Sequence, residues 1–171
     1  EIIEQEVVHM MRLIDDLLDV ERAHTGKLRL EQSRVDLAKV IEAAVGACRP
    51  VMDSRGQRLD LDIAPGLPTL VGDPVRLGQV LRNLLDNASK YTPVSGRIGL
   101  EASASAHEVR LVVTDNGIGI SAAALPAVFD PHVQDPHAVG FDGRGLGIGL
   151  TVVRELVQAH GGTVTAHSEG S

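Results

Sequence analysis

The sequence predicts an α+β domain in which helices cover one face of a mixed, mostly antiparallel sheet, with a bundle-type helix in front. Three observations carry this. Apolar residues alternate in several short runs, as half-buried strands require, and these runs are interspersed with segments of helical period. The chain has 171 residues, 43% apolar and 23% charged, which is ordinary for one globular domain with an appendage. Its opening segment keeps an apolar seam with no alternation at all.

That seam runs Ile3, Val7, Met10, Ile14, Leu17, spaced 4, 3, 4, 3, the period of a helix facing another helix. Glu4, Gln5, Arg12, Asp15, Asp16 and Asp19 fall off it. Gly26 ends the pattern, and Leu28 and Leu30 alternate with charged residues as a short strand would. Residues 1–30 are thus read as a bundle helix and linker, and 31–171 as the main domain. A second amphipathic helix follows on Leu37, Val40, Ile41, Ala44, Val45 and Cys48. Leu59, Leu61 and Ile63 form a strand pattern, closed by the turn Pro65-Gly66-Leu67-Pro68. Asp73 before Pro74 reads as a capping side chain with proline at the first helical position, opening a helix to about Tyr91. Strands follow on Ile98, Leu100, Ala102 and on Val109, Leu111, Val113. A short helix near 122–128, a loop over 130–144, a helix over 150–160 and a strand over 163–167 complete the reading.

Composition excludes several function classes. Sixteen Lys and Arg against 23 Asp and Glu give a formal charge of -7, so counterion release from a phosphate backbone would drive nothing, and nucleic acid is not expected as a partner. The single cysteine, Cys48, precludes an internal disulfide, suits a cytoplasmic setting and sits on an apolar helix face as a core residue. No apolar run nears the ~20 residues that span a bilayer. The chain opens on Glu1 in helical pattern and is read as part of a longer protein.

Three clusters carry chemistry. On the helix from Asp73, Asn83, Asn87 and Lys90 stand at i, i+4, i+7 beside the apolar face Val80, Leu81, Leu84, Leu85, Ala88. Asparagine competes for backbone bonds and is a poor mid-helix residue, so a pair there suggests carbonyl oxygens offered to a hard cation, with Lys90 as a phosphate charge; a plain solvated face is the alternative. Next, Asp115 closes the strand from Val109 on the same side as Val109, Leu111 and Val113, which points its carboxylate toward the interior, where it needs a donor such as an amine-bearing ligand. Gly117 and Gly119 follow, before Ile120, and would let backbone approach closely; an ordinary Asp-Asn-Gly turn is the alternative. Third, Gly143, Gly145, Gly147 and Gly149 alternate with Arg144, Leu146 and Ile148 ahead of Leu150. Glycines at a helix N-terminus form an anion site, where unpaired amides and the helix dipole favour phosphate. The register is not that of a dinucleotide fingerprint, and no Gly-Lys-Ser/Thr of a P-loop is present. The long loop ahead of it has the composition of a lid.

In this order, the clusters resemble the signature boxes of bacterial sensor histidine kinases. Arg76 to Pro93, with Asn83-Leu84-Leu85-Asp86-Asn87-Ala88 at its centre, is similar to the N box. Asp115 to Ile120 resembles the G1 box, Phe129-Asp130-Pro131-His132-Val133-Gln134 the F box, and Gly145 to Leu150 the G2 box. Residues 1–30 resemble the second helix of the dimerisation and phosphotransfer hairpin. The resemblance implies a Bergerat fold and an ATP site with Asn83 and Asn87 at Mg2+, Lys90 and Arg144 at phosphates, Tyr91 against the adenine and Asp115 on its exocyclic amine. The glycines of both G boxes, with Ile120, Leu146, Ile148 and Leu150, would line the nucleotide. It also implies transfer of the ATP γ-phosphoryl group to a histidine, catalysed with Asn83, Asn87 and Lys90, and partners in a phosphoacceptor helix, a response-regulator receiver domain and a second copy of the protein.

The chain departs from that pattern in three places. No helical His is followed by Glu or Asp with a nearby Pro: His9 precedes Met10, and His107-Glu108 opens a strand, so the acceptor is expected outside this chain. The strand that usually closes the sheet is not reached, and His132 replaces the usual F-box aromatic. His132 and His137 lie in the lid loop at a spacing unsuited to zinc, and His9 and His24 read as polar helix positions. Hydrolysing relatives and anti-sigma serine kinases carry Glu at the position of Asn83, which cannot take a proton at neutral pH, so slow hydrolysis is expected. A nucleotide sensor or dimerisation module is the non-enzymatic alternative.

Overall fold

The computed structural model describes residues 2–138 and 147–170, with side chains from Leu13 onward except that of His137, and those of Val7, Met10 and Met11 before it. Four α-helices and five strands appear among them: α1 (Ile2–His24), β1 (Ser33–Val35), α2 (Leu37–Ser54), β2 (Arg58–Ile63), β3 (Leu70–Gly72), α3 (Pro74–Tyr91), β4 (Arg97–Ala104), β5 (Val109–Asp115) and α4 (Gly149–Ala159).

The main sheet has the order β2-β4-β5. β2 pairs with β4 in parallel, Leu59 opposite Ile98 and Leu61 opposite Leu100, and β5 returns antiparallel, Val113 opposite Leu100. The parallel pair needs a crossover, and α3 supplies it. β1 and β3 form a separate antiparallel pair, so the sheet structure is mixed as the alternation implied. Ile98, Leu100 and Ala102 are buried against α2 and α3, in a cluster with Leu37, Ile41, Ala44, Cys48, Met52, Leu81 and Leu85.

α3 is the hub. Its Leu81, Leu85 and Ala88 enter that cluster, while Val80 and Leu84 turn to a second one with Val152, Val153 and Leu156 of α4 and Val20 of α1. A helix apolar over so wide an arc must be covered on several sides. Its start is as read from sequence: Asp73 is the N-cap, accepting from Val75 N at 3.0 Å and Arg76 N at 3.2 Å, with Pro74 first in the helix. Asp73 also accepts from Glu31 N at 2.9 Å and donates its own backbone N–H to His160 Nε2 at 3.0 Å. His160 Nδ1–H donates to Leu156 O at 2.7 Å, which fixes the tautomer.

Three expectations about elements change. Leu28 and Leu30 are half-buried between exposed neighbours, but this extended stretch has no ladder partner and is not a strand; the strand follows at Ser33–Val35, paired to Leu70–Gly72, two three-residue strands too short to show a period. Residues 163–167 likewise alternate in burial without a ladder, Val164 packing on the α3–α4 cluster. In both, alternation reports a surface to lie on, whereas a strand needs a hydrogen-bonded neighbour as well. The short helix near 122–128 is a turn and a 3-10 segment, Leu125–Ala127. α1 also packs on the main domain at its C-terminal end, where Asp19 and Val20 are buried.

Candidate nucleotide site

The C-terminal half of α3 meets the start of α4 near its middle and the turn after β5 at its end. Asn83, Asn87 and Lys90 are all half-buried on α3. Asn83 Nδ2 donates to the carbonyl of Gly149, the first residue of α4, at 3.4 Å. A Cβ on Gly149 would lie 3.8 Å from Asn87 Nδ2, so both asparagines face the N-terminal turn of α4. Ile148 caps that helix with no side-chain hydrogen bond, and the first-turn amides of Gly149, Leu150 and Thr151 precede the ladder that begins with Val152 N donating to Ile148 O. Positive helix-end dipole and amide carbonyls thus meet at one place.

At the other end, Lys90 Nζ stands 5.0 Å from the centre of the Tyr91 ring, a cation over an aromatic face. The backbone carbonyl of Tyr91 accepts from Ile118 N at 3.1 Å, which clips the Asp115–Ile120 turn to the end of α3. Gly117 is required there: a Cβ would collide with that same carbonyl and lie 2.7 Å from Asp115 Oδ1. Gly119 has φ +71, and a Cβ on it would collide with the Gly170 carbonyl; the neighbouring Ile120 N donates to Ser168 Oγ at 2.9 Å. The terminal segment thereby rests against the turn.

Asp115 pairs across the ladder with Ile98, on the core-facing side as parity required, yet it is exposed. Its carboxylate accepts from Gly117 N at 2.9 Å and has room for another donor. Parity fixes the face; position at the strand's last residue leaves the group exposed at the end of the sheet. The expected buried, orphaned carboxylate is therefore corrected to an exposed one.

Gly147, with φ +68, lies against the F-box segment: a Cβ would stand 3.1 Å from the Val133 carbonyl and 3.2 Å from His132 Cα, and His132 N donates to Gly147 O at 3.0 Å. His132 itself has φ 62, the left-handed region that few non-glycine residues occupy. Arg154 of α4 bonds Asp130 at 2.8 Å, a partnership that raises its pKa above the usual value, and Asp135 accepts from Ser121 N at 2.7 Å. Backbone and ion-pair contacts therefore anchor the F box where the sequence offered His132 for an aromatic. Arg144, expected at the phosphates, and Gly145 and Leu146, expected to line the nucleotide, lie outside the described residues, as do Gly143 and the rest of the expected lid over 139–144.

The residues present suit a nucleotide-borne Mg2+. Among the described residues no group of three His, Cys, Asp or Glu could hold a metal, and no hydrogen bond uses Oδ1 of Asn83 or Asn87. One or two neutral oxygens make a poor cage alone but a good complement to phosphate oxygens, which supply the remaining ligands and charge.

Sequence reasoning missed one cluster. Asp19 of α1, 2% exposed, accepts from Arg76 Nη1 at 2.6 Å and Gln79 Nε2 at 2.9 Å. Asp16 accepts from Gln79 Nε2 at 2.9 Å. Burial, the larger effect, and repulsion from Asp19 and Asp15 hold the Asp16 carboxyl above its ordinary pKa against the lowering influence of the Gln79 bond. The signal was present as spacing: acids at i, i+3 on α1, with Arg76 and Gln79 at i, i+3 on α3.

Comparison with known proteins agrees with this geometry. Residues 72–171 match the family model described as histidine kinase-, DNA gyrase B-, and HSP90-like ATPase. The alginate biosynthesis sensor protein KinB of Pseudomonas aeruginosa is 33% identical over 98% of this chain and 27% of its own length; the signal transduction histidine-protein kinase BaeS of Escherichia coli is 32% identical over 97% and 36%. The chain thus spans about a quarter to a third of the length of these relatives. Among solved structures, the Acinetobacter baumannii histidine kinase AdeS superposes with TM-score 0.78 at 25% identity, covering 98% of this chain and 76% of that one. The mycobacterial sensor histidine kinase MprB superposes with TM-score 0.66 at 30% identity, covering 75% and 82%. An α3 carrying paired asparagines against a glycine-led α4, a glycine turn clipped to its end and these likenesses lead to one assignment: the chain belongs to the histidine kinase-, DNA gyrase B-, and HSP90-like ATPase family, and within it to the catalytic ATP-binding domains of sensor histidine kinases.

Proposed function

We propose that this chain is the phosphoryl-donor part of a two-component sensor kinase: it binds Mg-ATP between α3 and α4 and delivers the γ-phosphoryl group to a histidine on a helix outside the chain. The observation that carries the reading is the juxtaposition of Asn83 and Asn87 with the uncapped start of α4, while Asp115 and Tyr91 stand at the far end of the same helix. A ligand laid along α3 meets hydrogen-bonding and aromatic groups at one end and anion-binding groups at the other, which is the layout of a purine nucleotide triphosphate.

In this reading the Asp115 carboxylate accepts from the adenine amino group, and Tyr91 covers the ring face. The α4 amides hold the phosphates, Lys90 swings from the Tyr91 ring toward them on its long side chain when nucleotide is bound, and Arg144 is a further candidate. Mg2+, when bound, neutralises charge across the phosphates, with Asn87 and Asn83 oxygens completing its shell. The acceptor imidazole attacks Pγ in line; the bond from Pγ to the bridging oxygen breaks, its electron pair leaving on ADP, and a phosphohistidine forms. Positioning and fixed dipoles do most of the work in such a transfer. Asn83 offers no base to water, which favours transfer over hydrolysis. The phosphoryl group would pass on to a receiver domain, and α1 would pair with a second copy.

Calorimetry tests the site. Asp115→Asn should weaken ATP and ADP binding about tenfold or more, in line with a charge-assisted hydrogen bond of roughly 1.5–3 kcal/mol. Asn87→Ala should act mainly on the Mg2+ dependence. Titrations like wild type for both would overturn the assignment. With labelled ATP the chain alone should give no acid-labile, base-stable phosphoprotein, and adding an acceptor helix in trans should give one; labelling of the chain by itself would place the acceptor among its seven histidines.

A further inference from the structure

Gln57 is a buried polar side chain, 5% exposed, that the phosphoryl transfer does not use. Its backbone is fixed by the end of α2: Gly56, at φ +60, donates its N–H to Asp53 O and Gln57 N donates to Met52 O, each at 2.9 Å, the two-bond cap that closes many helices. Its side chain then reaches the end of α3. Nε2 donates to the Thr92 carbonyl at 2.8 Å and the Ser89 carbonyl at 2.9 Å, with the Pro93 carbonyl at 3.4 Å beside them, and Oε1 accepts from Ser89 Oγ at 2.6 Å. These partners admit one orientation of the amide, since a flip would set its oxygen against carbonyls that only accept.

The two anchored residues bracket Lys90 and Tyr91. The last carbonyls of a helix have no donor within it, and here Gln57 supplies one from the α2 side. On the other side the Tyr91 carbonyl accepts from Ile118 N at 3.1 Å. Asn116 ties the same turn to the start of β4, its N donating to Arg97 O at 3.1 Å and its Oδ1 accepting from Arg97 N at 2.7 Å. The place of Tyr91 thus sets both where its ring stands and where the turn from Asp115 is clipped.

We propose that Gln57 is a positioning residue for the base end of the nucleotide site: it touches no nucleotide, but by locking residues 89–92 it fixes the Tyr91 ring and, through the Tyr91 carbonyl, the Asp115 turn that reads the adenine amino group. The inference rests on the function proposed above and adds to it a residue on which base preference depends. A hydrogen bond weakens steeply once misaligned, so recognition of the amino group suffers first when this end loosens. The phosphate end, at Asn83 and the start of α4, is held by the packing of α3 on α4 instead.

Tyr91 is the chain's single tyrosine and there is no tryptophan, so intrinsic fluorescence reports on it alone. The experiment measures tyrosine anisotropy of the full chain without nucleotide, and calorimetric affinity for Mg-ADP against Mg-inosine diphosphate, which carries an oxo group where adenine carries its amino group. Wild type should prefer ADP about tenfold or more, as a charge-assisted bond implies. Gln57→Met, similar in length and without donors, should lower the anisotropy, weaken ADP about five- to tenfold and weaken inosine diphosphate no more than about twofold. Ser89→Ala, which strands the buried Gln57 oxygen, should move both readouts the same way by a smaller factor, and it decides the question if Gln57→Met does not fold. Ile41→Val, a core change near the opposite end of α2, should lower the melting temperature and leave the preference unchanged. A folded Gln57→Met, or Ser89→Ala in its place, with wild-type anisotropy and preference would overturn the inference. Equal losses for the two nucleotides would overturn it as well, leaving Gln57 a helix cap. A wild-type chain that binds both nucleotides alike, or neither, would instead bring down the reading of Asp115 and the site on which the inference stands.

Discussion

Asp73 shows how much one side chain can hold. Its two oxygens take the first-turn amides of α3 and the Glu31 amide of the linker, while its own N–H goes to His160 at the end of α4. Burial alone would raise its pKa, but the three backbone donors and nearby Arg76 outweigh that and hold it below the ordinary carboxylate value. A lowered folded-state pKa means stability present above the unfolded value of 3.8 and lost as pH falls through the folded one. Asp73→Ala should cost about 2–3 kcal/mol in urea denaturation, a cap plus a stranded Glu31 amide, and should flatten the acid limb of the stability profile. An unchanged acid limb would assign the acid sensitivity to other carboxylates. Gly117→Ala is the sharpest test of the turn: the added methyl must displace the Tyr91 carbonyl, so both thermal stability and ADP affinity should fall, whereas Gly66→Ala, with open space around it at φ +73, should lower stability alone.

Among elements, α1 is divided between two environments. Val7, Met10, Ile14 and Leu17 of the seam are 44–60% exposed, with Met11 and Leu18 beside them, while Asp19 and Val20 are buried. The 4-3-4-3 spacing made the seam readable because periodicity depends only on the helix's own residues. The polar contacts of Asp16 and Asp19 with Arg76 and Gln79 left only a spacing in the sequence, since the two acids look like any solvated acids until α3 is placed against them. Ile14→Asp should lower the sedimenting mass if the seam pairs copies, and should leave Mg-ADP affinity of the monomer unchanged; an identical mass before and after substitution would argue against a seam centred there. α3 and α4 were legible to within a residue, because a cap, a proline and a wide apolar arc are local signals. β1 and β3 were not, because three-residue strands exist only through their pairing, and residues 163–167 failed the opposite way, alternating with no neighbour to pair.

At the level of the whole molecule, the candidate site depends on α3 serving two cores at once. Leu81 and Leu85 bind it to α2 and the sheet, Val80 and Leu84 to α4, so the two walls of the site are fixed through one helix. Leu85→Ala should cost about 2–5 kcal/mol and take the nucleotide site with it, measured as a parallel loss of melting temperature and ADP affinity. Of the candidate site, motif spacing on one helix made Asn83, Asn87, Lys90 and Tyr91 legible as neighbours on α3; the burial of Asp115 was misjudged, because parity decides a side and the ends of neighbouring elements decide depth. Among the described residues no helix is long and apolar enough to cross a membrane.

The parallel pairing of β2 with β4 carries a kinetic consequence. Arg58 sits opposite Arg97 with all of β3 and α3 threaded between them, so the central ladder closes a long loop before it gains a single inter-strand bond, whereas β4 and β5 are joined by a short turn. Closing that loop costs chain entropy first and returns hydrogen bonds later. The β4–β5 hairpin and the α3 helix should therefore form early and capture β2 last. Gln57, which reaches across to the Ser89 and Thr92 carbonyls at 2.9 and 2.8 Å, would be the latch of that final step: Gln57→Ala should speed unfolding while leaving the refolding rate nearly unchanged.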